Sequence, residues 1–481
     1  MPGDAHFGIN SPSVPDNSHT VFDNSESTTL APINRLPHEI LGRIFSIAVA
    51  ASPCSLASGE RDILSQLPLV CTQWYQAATG NRLLWSHIDI GSCLTSTSPL
   101  QTNRNRLWLE RSHGLPVHLH VDIDHPQTEV AISNLVSILE PHRTSTISLV
   151  ITGMNLVLAR TLFALYLGDS GAGALNTLVV SGVWDKELTI PWSTYSIRGL
   201  TALELYNLQQ PACPALDELT TMLSNCPHLR TLRLSHLRNS TILRNEQWNR
   251  RNISLPHLQL LDVAGLGGDV LAALLGMIHP GKLDLHVRLG IQSGEHRVSP
   301  ATLSLFARSN VASLALSSVA SNWILNSKSP FTCLLGLRAL RVDCTDSSPE
   351  TLLEALTHHN MLQSLPSLRL LCISGGEVDQ GFMDDVKSLV EARPLRSLLF
   401  WSCKFPVFYR RVANKVKLQD RSRVGNEAAN LSYRPMPETT KKWLMKRVER
   451  LVISEAPPTR ISDNLDALAQ EMAKLDSADY L

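Results

Sequence analysis

The 481-residue chain has no net charge, since 43 Lys and Arg balance 43 Asp and Glu. A neutral chain has no global field to draw in nucleic acid or an anionic membrane. Its nine cysteines are odd in number and scattered, and none pair as C-x-x-C. That excludes a disulfide framework or a zinc ribbon and fits reduced thiols in the cytosol or nucleus. The longest apolar run, Val270 to Ile278, is too short to cross a bilayer, and no charged-then-apolar leader precedes a cleavage site. Also missing are a Walker loop, a G-x-S-x-G elbow and an H-E-x-x-H pair. The expectation is a cytoplasmic or nuclear protein with no catalytic set, no cofactor, no metal and no membrane contact.

Two partial motifs do not change this. His118-Leu119-His120-Val121-Asp122 alternates as a strand does, so both histidines and the aspartate share one polar face, and no separate ligand cluster accompanies them. Gly265-Leu266-Gly267-Gly268 follows a strand, but Val270 stands where a dinucleotide turn needs its third glycine. A tight turn is the simpler reading.

What the chain does have is apolar surface. Hydrophobic residues make up 43% and charged residues 18%, which suits a large core in about two to four domains. Residues 1–31, rich in Ser, Asn, Asp, Pro and Thr, are the exception and read as a flexible tail. Beyond them, Leu36, Ile40, Leu41, Ile44, Phe45, Ile47 and Ala48 fill half of a helical cylinder, whereas a surface helix usually needs a stripe of about 100°. A second segment, opened by Pro68 as Pro37 opens the first, gathers Leu67, Val70, Cys71, Trp74 and Tyr75 on another wide face, and Leu84-Trp85 follows. Some fifty residues of helix cannot shelter all this surface, and an uncovered apolar patch marks a partner site.

The series Leu36-Pro37-x-Glu39-Ile40-Leu41-x-x-Ile44-Phe45, Leu67-x-x-Val70-Cys71-x-x-Trp74 and Leu84-Trp85 resembles an F-box. The resemblance implies three helices over residues 32–90 that dock on the small adaptor of cullin-RING ubiquitin ligases. The implied adaptor-binding residues are Leu36, Pro37, Ile40, Leu41, Ile44, Phe45, Leu67, Val70, Cys71, Trp74 and Trp85. The stretch from Val49 to Gln66 is longer than the family's usual turn.

The remainder repeats. Leu175-x-x-Leu178-x-Val180 recurs from Leu200, Leu229, Leu258, Val311, Leu337, Leu368 and Leu395, at intervals of 25–31 residues with one double interval. That gap holds the alternating strand Leu283-x-Leu285-x-Val287. Helical patterns precede the strands at Leu216–Leu223, Val270–Ile278, Leu352–Leu362 and Val386–Val390. Strand-plus-helix units that cannot bury their apolar sides alone must stack.

These units resemble irregular leucine-rich repeats, which implies an α/β fold: an N-terminal F-box and then a solenoid over residues 91–403. The strands at Val117–Val121 and Ile147–Ile151 would begin it. The family's Asn after the strand is replaced by Leu208, Leu237 and Leu266. The segment Leu107–Ser112, taken with the F-box, resembles the arrangement of large fungal F-box families.

Residues 404–481 concentrate positive charge at Tyr409-Arg410-Arg411 and Lys441-Lys442-Trp443. Trp443, Leu444, Arg447, Val448 and Leu451 read as an amphipathic helix capping the stack, with a short helix from Leu465 to Leu475 at the end. The functional expectation is a non-catalytic substrate receptor of a ubiquitin ligase, holding the adaptor through the F-box and a target protein through the repeats. The alternatives are an adaptor-bound scaffold outside ubiquitination and a repeat-based nucleic-acid binder.

Overall fold

A computed structural model describes residues 32–454 apart from 52–62, 92–98, 124–127, 154–155, 169–174, 183–189, 210–211, 236, 238–251, 292–298, 317–330, 344–364, 376–379, 393–394, 402, 404–435 and 437. The expected tail 1–31, the helical pattern Leu352–Leu362, the basic run at Tyr409–Arg411 and the terminal helix Leu465–Leu475 lie outside the described residues.

The chain enters through a helical unit. A 3-10 turn at Pro32–Arg35 leads to α1 (His38–Ala51), then to a short α2 (Ile63–Gln66) and a 3-10 turn at Leu67–Leu69. Helix α3 (Thr72–Gly80) and a 3-10 turn at Arg82–Trp85 complete it. Thirteen parallel strands follow in a single sheet. They are β1 (His87–Ile90), β2 (Val117–Ile123), β3 (Thr146–Gly153), β4 (Thr177–Ser181), β5 (Ala202–Tyr206), β6 (Thr231–Ser235), β8 (Leu260–Leu266), β10 (Asp284–Ile291), β11 (Asn310–Leu316), β12 (Ala339–Asp343), β13 (Leu370–Ser374), β14 (Ser397–Trp401) and β15 (Arg450–Ser454). Each lies beside the one before it in sequence, except that β7 (Ile253–Leu255) and β9 (Ile278–Pro280) leave the order to pair with each other.

The connecting helices are α4 (Pro99–Ser112), α5 (Glu129–Leu139), α6 (Leu156–Leu167), α7 (Leu216–Ser224), α8 (Gly268–Met277), α9 (Pro300–Arg308), α10 (Gln380–Ala392) and α11 (Glu438–Met445). Their starts follow local chemistry. Thr128 caps α5 by accepting from the Ala131 amide, and Ser299 caps α9 by accepting from Thr302.

Parallel strands need cover on the apolar face, and the register shows how it is given. Leu119, Leu149, Leu178, Leu203, Leu232, Leu261, Val287, Leu314, Leu340, Leu371 and Leu398 stand side by side across eleven strands. Nearly all are completely buried, in one core that runs from Ile88 to Val448. All eight template segments therefore run into strands, seven of them with the first leucine two residues ahead of the strand, and their middle leucine is the residue in register. Leu208, Leu237 and Leu266, where an Asn was missing, are buried in this same core. An apolar side chain closes those turns by packing inward.

Three expectations change. The sheet starts at β1, within the stretch assigned to helices, because His87-Ile88-Asp89-Ile90 alternates and Ile88 and Ile90 are buried against the core. At the other end the expected capping helix is shorter. Helix α11 stops at Met445 and the chain returns as β15, in register with β14, so Leu451 lies on a strand. Four residues of turn, Lys446 to Glu449, carry that reversal, and buried Val448 anchors it. Finally, the helical pattern Val270–Ile278 ends one residue early, since Ile278 opens β9, and the double interval holds the tight approach of Gly281 to Pro256. A Cβ at Gly281 would stand 2.1 Å from the Pro256 carbonyl oxygen, so only glycine fits there.

Because Leu232 is fully buried in the aliphatic row, Leu232→Ala is expected to cost about 2–5 kcal/mol. Thr231→Ala, on the opposite side of the same strand, should stay within about 0.5 kcal/mol. The midpoint of urea denaturation followed by far-UV circular dichroism separates the two.

Candidate functional site

The helical unit has its own small core. Leu41, Phe45, Leu64, Leu67, Ala77, Ala78, Leu84, Trp85 and Trp108 are buried together, with Leu36, Val49 and Trp74 packed at the margin. Phe45 and Trp74 meet with ring centroids 4.9 Å apart. Polar contacts fix the angle between helices. Gln73 Nε2 donates to the Leu36 carbonyl at 2.8 Å, and Asn81 Nδ2 donates to the Gly42 carbonyl at 2.9 Å. A Cβ at Gly42 would stand 3.3 Å from that Asn81 nitrogen, so a glycine allows the approach.

One side of α1 is left over. Ile40, Ile44 and Ile47 recur at helical spacing and are 45%, 40% and 64% exposed. Leu41 and Phe45 occupy the neighbouring stripe and are interior. Exposed apolar side chains continue at Ile33, at Leu69 and Val70, and at Tyr75 and Leu83. Scattered exposed aliphatics are ordinary on a protein surface. Eight of them on one small helical unit, three in a single helical stripe, are not scattered.

The eleven residues expected to touch a partner thus divide. Ile40, Ile44, Val70 and Pro37 are exposed, and Leu36, Cys71 and Trp74 are half-buried. Leu41, Phe45, Leu67 and Trp85 are between 0% and 7% exposed and have no surface to give a second chain. Their role is to pack the unit. The local structure of the second segment also differs from the expected continuous helix. Pro68 lies in the 3-10 turn Leu67–Leu69, and Cys71 is extended, with φ −163°, as the residue before α3. A proline within the run removes a helical hydrogen bond and clashes with the preceding turn. The chain breaks there and turns Leu69 and Val70 outward. Ile33, Ile47, Leu69, Tyr75 and Leu83 are surface residues the motif alone did not single out. The isoleucine repeat at 40, 44 and 47 was the signal that separates outer from inner stripe.

A tryptophan pair ties the unit to the sheet. Trp85 donates through Nε1 to the Ala78 carbonyl at 3.0 Å, and its ring centroid is 5.7 Å from that of Trp108 on α4. Arg111 lies over the Trp85 ring at 4.6 Å and Arg104 over Trp108 at 4.8 Å. The next residue of α4, Leu109, belongs to the large core of the sheet.

The face of the sheet away from the aliphatic row carries paired charges. Glu204 accepts from the Tyr206 hydroxyl at 2.6 Å and lies 3.8 Å from Arg233. Burial and the adjacent Glu204 carboxylate push the Tyr206 phenol far above its ordinary range. Asp262, 1% exposed, accepts from Ser235, from the Ala264 amide and from Arg288, each at 3.2 Å. On β1 and β2, His87 and His120 approach the same Asp89 oxygen at 3.2 and 3.5 Å. Thr152 donates to Asp122 at 2.9 Å. From β11 to β14 this face is buried, with Ala312, Ala339, Leu370, Cys372, Leu399 and Trp401 packed around Arg341, whose guanidinium lies 4.8 Å over the Trp401 ring and donates to Ser374.

No group of three or more His, Cys, Asp or Glu among the described residues is arranged to hold a metal ion. Burial pushes the Cys403 thiol up to about 12 and also raises Cys226; such thiols are poor nucleophiles. No helix among the described residues is long and apolar enough to cross a membrane.

Residues 33–91 match the F-box-like family. The matched span covers the helical unit and the whole of β1. Domains of this family generally bind the small adaptor of cullin-RING ligases, so the match points to an adaptor-linked role in general terms. No curated protein matches the chain.

Phe45 is 1% exposed and Ile44 is 40% exposed, which gives adjacent residues opposite behaviour. Phe45→Ala should destabilise the helical unit by about 3–5 kcal/mol, while Ile44→Ala should stay within about 0.5 kcal/mol. Amide hydrogen exchange of peptides from residues 38–90, read by mass spectrometry, measures both.

Proposed function

We propose that the chain is the substrate-recognition subunit of a cullin-RING ubiquitin ligase. The observation that carries this reading is the exposed stripe Ile40, Ile44 and Ile47 on a unit matching the F-box-like family. The stripe and its neighbours Val70 and Leu69 would be buried by the cullin adaptor, with the half-buried Leu36, Cys71 and Trp74 and the exposed Pro37 at the border. The interior residues Leu41, Phe45, Leu67 and Trp85 hold that surface in shape.

The sheet is then read as an irregular leucine-rich-repeat solenoid that presents a target protein. The sequential parallel order of the strands and the aliphatic row support this reading. The docking module runs from residue 32 to the Trp85–Trp108 joint, and the solenoid from β1 to β15. The protein performs no bond chemistry in this scheme. Tethering raises the local concentration of target beside an enzyme that another subunit carries. Cytoplasmic and nuclear locations suit that task. A nucleic-acid role is not favoured, because Arg447 lies over the Trp443 ring at 3.9 Å and Leu444 is buried, as a packed cap requires.

The full chain and its Ile44→Asp and Val70→Asp variants should be tested for capture of purified cullin adaptor. Each variant is expected to weaken binding by at least about tenfold, equivalent to 1.4 kcal/mol, while denaturation midpoints stay unchanged. Wild-type adaptor affinity in both variants would remove this surface from the interface. Conjugated ubiquitin on co-purified proteins, dependent on the same residues, separates a ligase subunit from an adaptor-bound scaffold.

A further inference from the structure

Where the solenoid would grip its target is narrowed by one cavity of about 650 Å³ at the entry ends of β6, β8 and β10. It is a hollow more open than enclosed, a shape that suits a segment lying across it. Its lining starts with three residues in lateral register, Thr231, Leu260 and His286. Gln259 and Leu283 extend the wall along the loops that enter the strands. Leu283 is 41% exposed and Leu260 lies beneath, so an apolar side chain entering here meets aliphatic surface.

The charge of the rim is lopsided. Asp284 accepts from Asn310 Nδ2 at 2.7 Å and forms an ion pair with Arg338. The neighbouring row is likewise cancelled, Asp262 by Arg288 and Glu204 by Arg233. Lys282 is exposed, lines the cavity and has no ion pair among the described residues. Its loop is held in place where Gly281 presses on Pro256. The cavity therefore offers an aliphatic floor beside a lysine that no described carboxylate pairs.

We propose that this groove receives an extended segment of the target protein, in which a large apolar side chain is adjacent to an aspartate or glutamate. Lys282 takes the carboxylate, and Leu260 and Leu283 take the apolar side chain. The proposal deepens the substrate-receptor reading and rests on it for the role of the bound segment, though not for the binding itself. Its chemistry is that of mixed interfaces, where a buried apolar anchor gives affinity and a charge pair selects the partner.

The test is selection of a random heptapeptide phage library on the immobilised full chain, repeated on Lys282→Glu and Leu283→Ser variants. The expected result is enrichment of peptides with Asp or Glu next to Leu, Ile, Met or Phe. A fluorescein-labelled peptide of the enriched sequence should bind the wild type and lose at least about tenfold in affinity to either variant. Binding should weaken with added salt, as a contact through Lys282 demands. No enrichment, enrichment without acidic residues, or affinity unchanged in both variants would overturn the assignment. A polyuridine oligonucleotide that displaces the peptide from wild type but not from Lys282→Glu would overturn the choice of a protein segment. The Ile44→Asp variant distinguishes the two readings. Peptide binding that survives loss of adaptor capture supports the groove independently, and adaptor capture with no peptide selected condemns the groove alone.

Discussion

The structure depends on one constraint: a parallel strand with a leucine on its inner side cannot stand alone. Each strand of the main sheet from β2 to β14 supplies an aliphatic residue to a single lateral row, and each is sheltered by its neighbours and by the connecting segment that follows. Parallel strands need a crossover between them, which sets the length of the unit. The unit length in turn sets the spacing of 25–31 residues visible in the sequence. Burial of the row is thus the common cause of the periodicity, the strand order and the continuous core.

That cause also explains how much of the fold could be read beforehand. Leu178, Leu203, Leu232 and their counterparts are spaced by the crossover and bracketed by apolar residues, so eight strands were legible from the repeat, and β2, β3 and β10 from their alternation. Strand β1 was not, because His87-Ile88-Asp89-Ile90 is short and directly follows the Leu84-Trp85 landmark, which drew it into the helical module. Strand β15 was missed for a different reason. Leu451, Val452 and Ile453 continue a helical-looking series from Trp443 and Leu444, and only the pairing with β14 decides between the two periods. Strands β7 and β9 are three residues each and carry too little pattern to be seen.

In the candidate docking surface, the residue types were legible but their sides were not. Half a cylinder of apolar residues on α1 exceeds what one packing contact covers, and the structure buries one stripe of it and leaves the other exposed. Assigning residues to each needed the position of α3, fixed by Gln73 on Leu36 and Asn81 on Gly42. Leu41 and Phe45 went inward, and Ile40, Ile44 and Ile47 stayed outside. Chain breaks mattered equally. The extended backbone at Cys71 turned Val70 outward, a local event that helical periodicity does not encode.

The indoles of Trp85 and Trp108, tilted against each other and clasped by Arg111 and Arg104, bind a junction in which only Ser86 separates the last turn of the helical unit from the first strand of the sheet. So short and so weighted a seam leaves little chain to serve as a hinge. Under the proposed receptor role, cargo held along the strands would be carried at a set heading, like a tool on a fixed arm. Which lysines of that cargo come within reach would then be decided by distance along the arm and by little else.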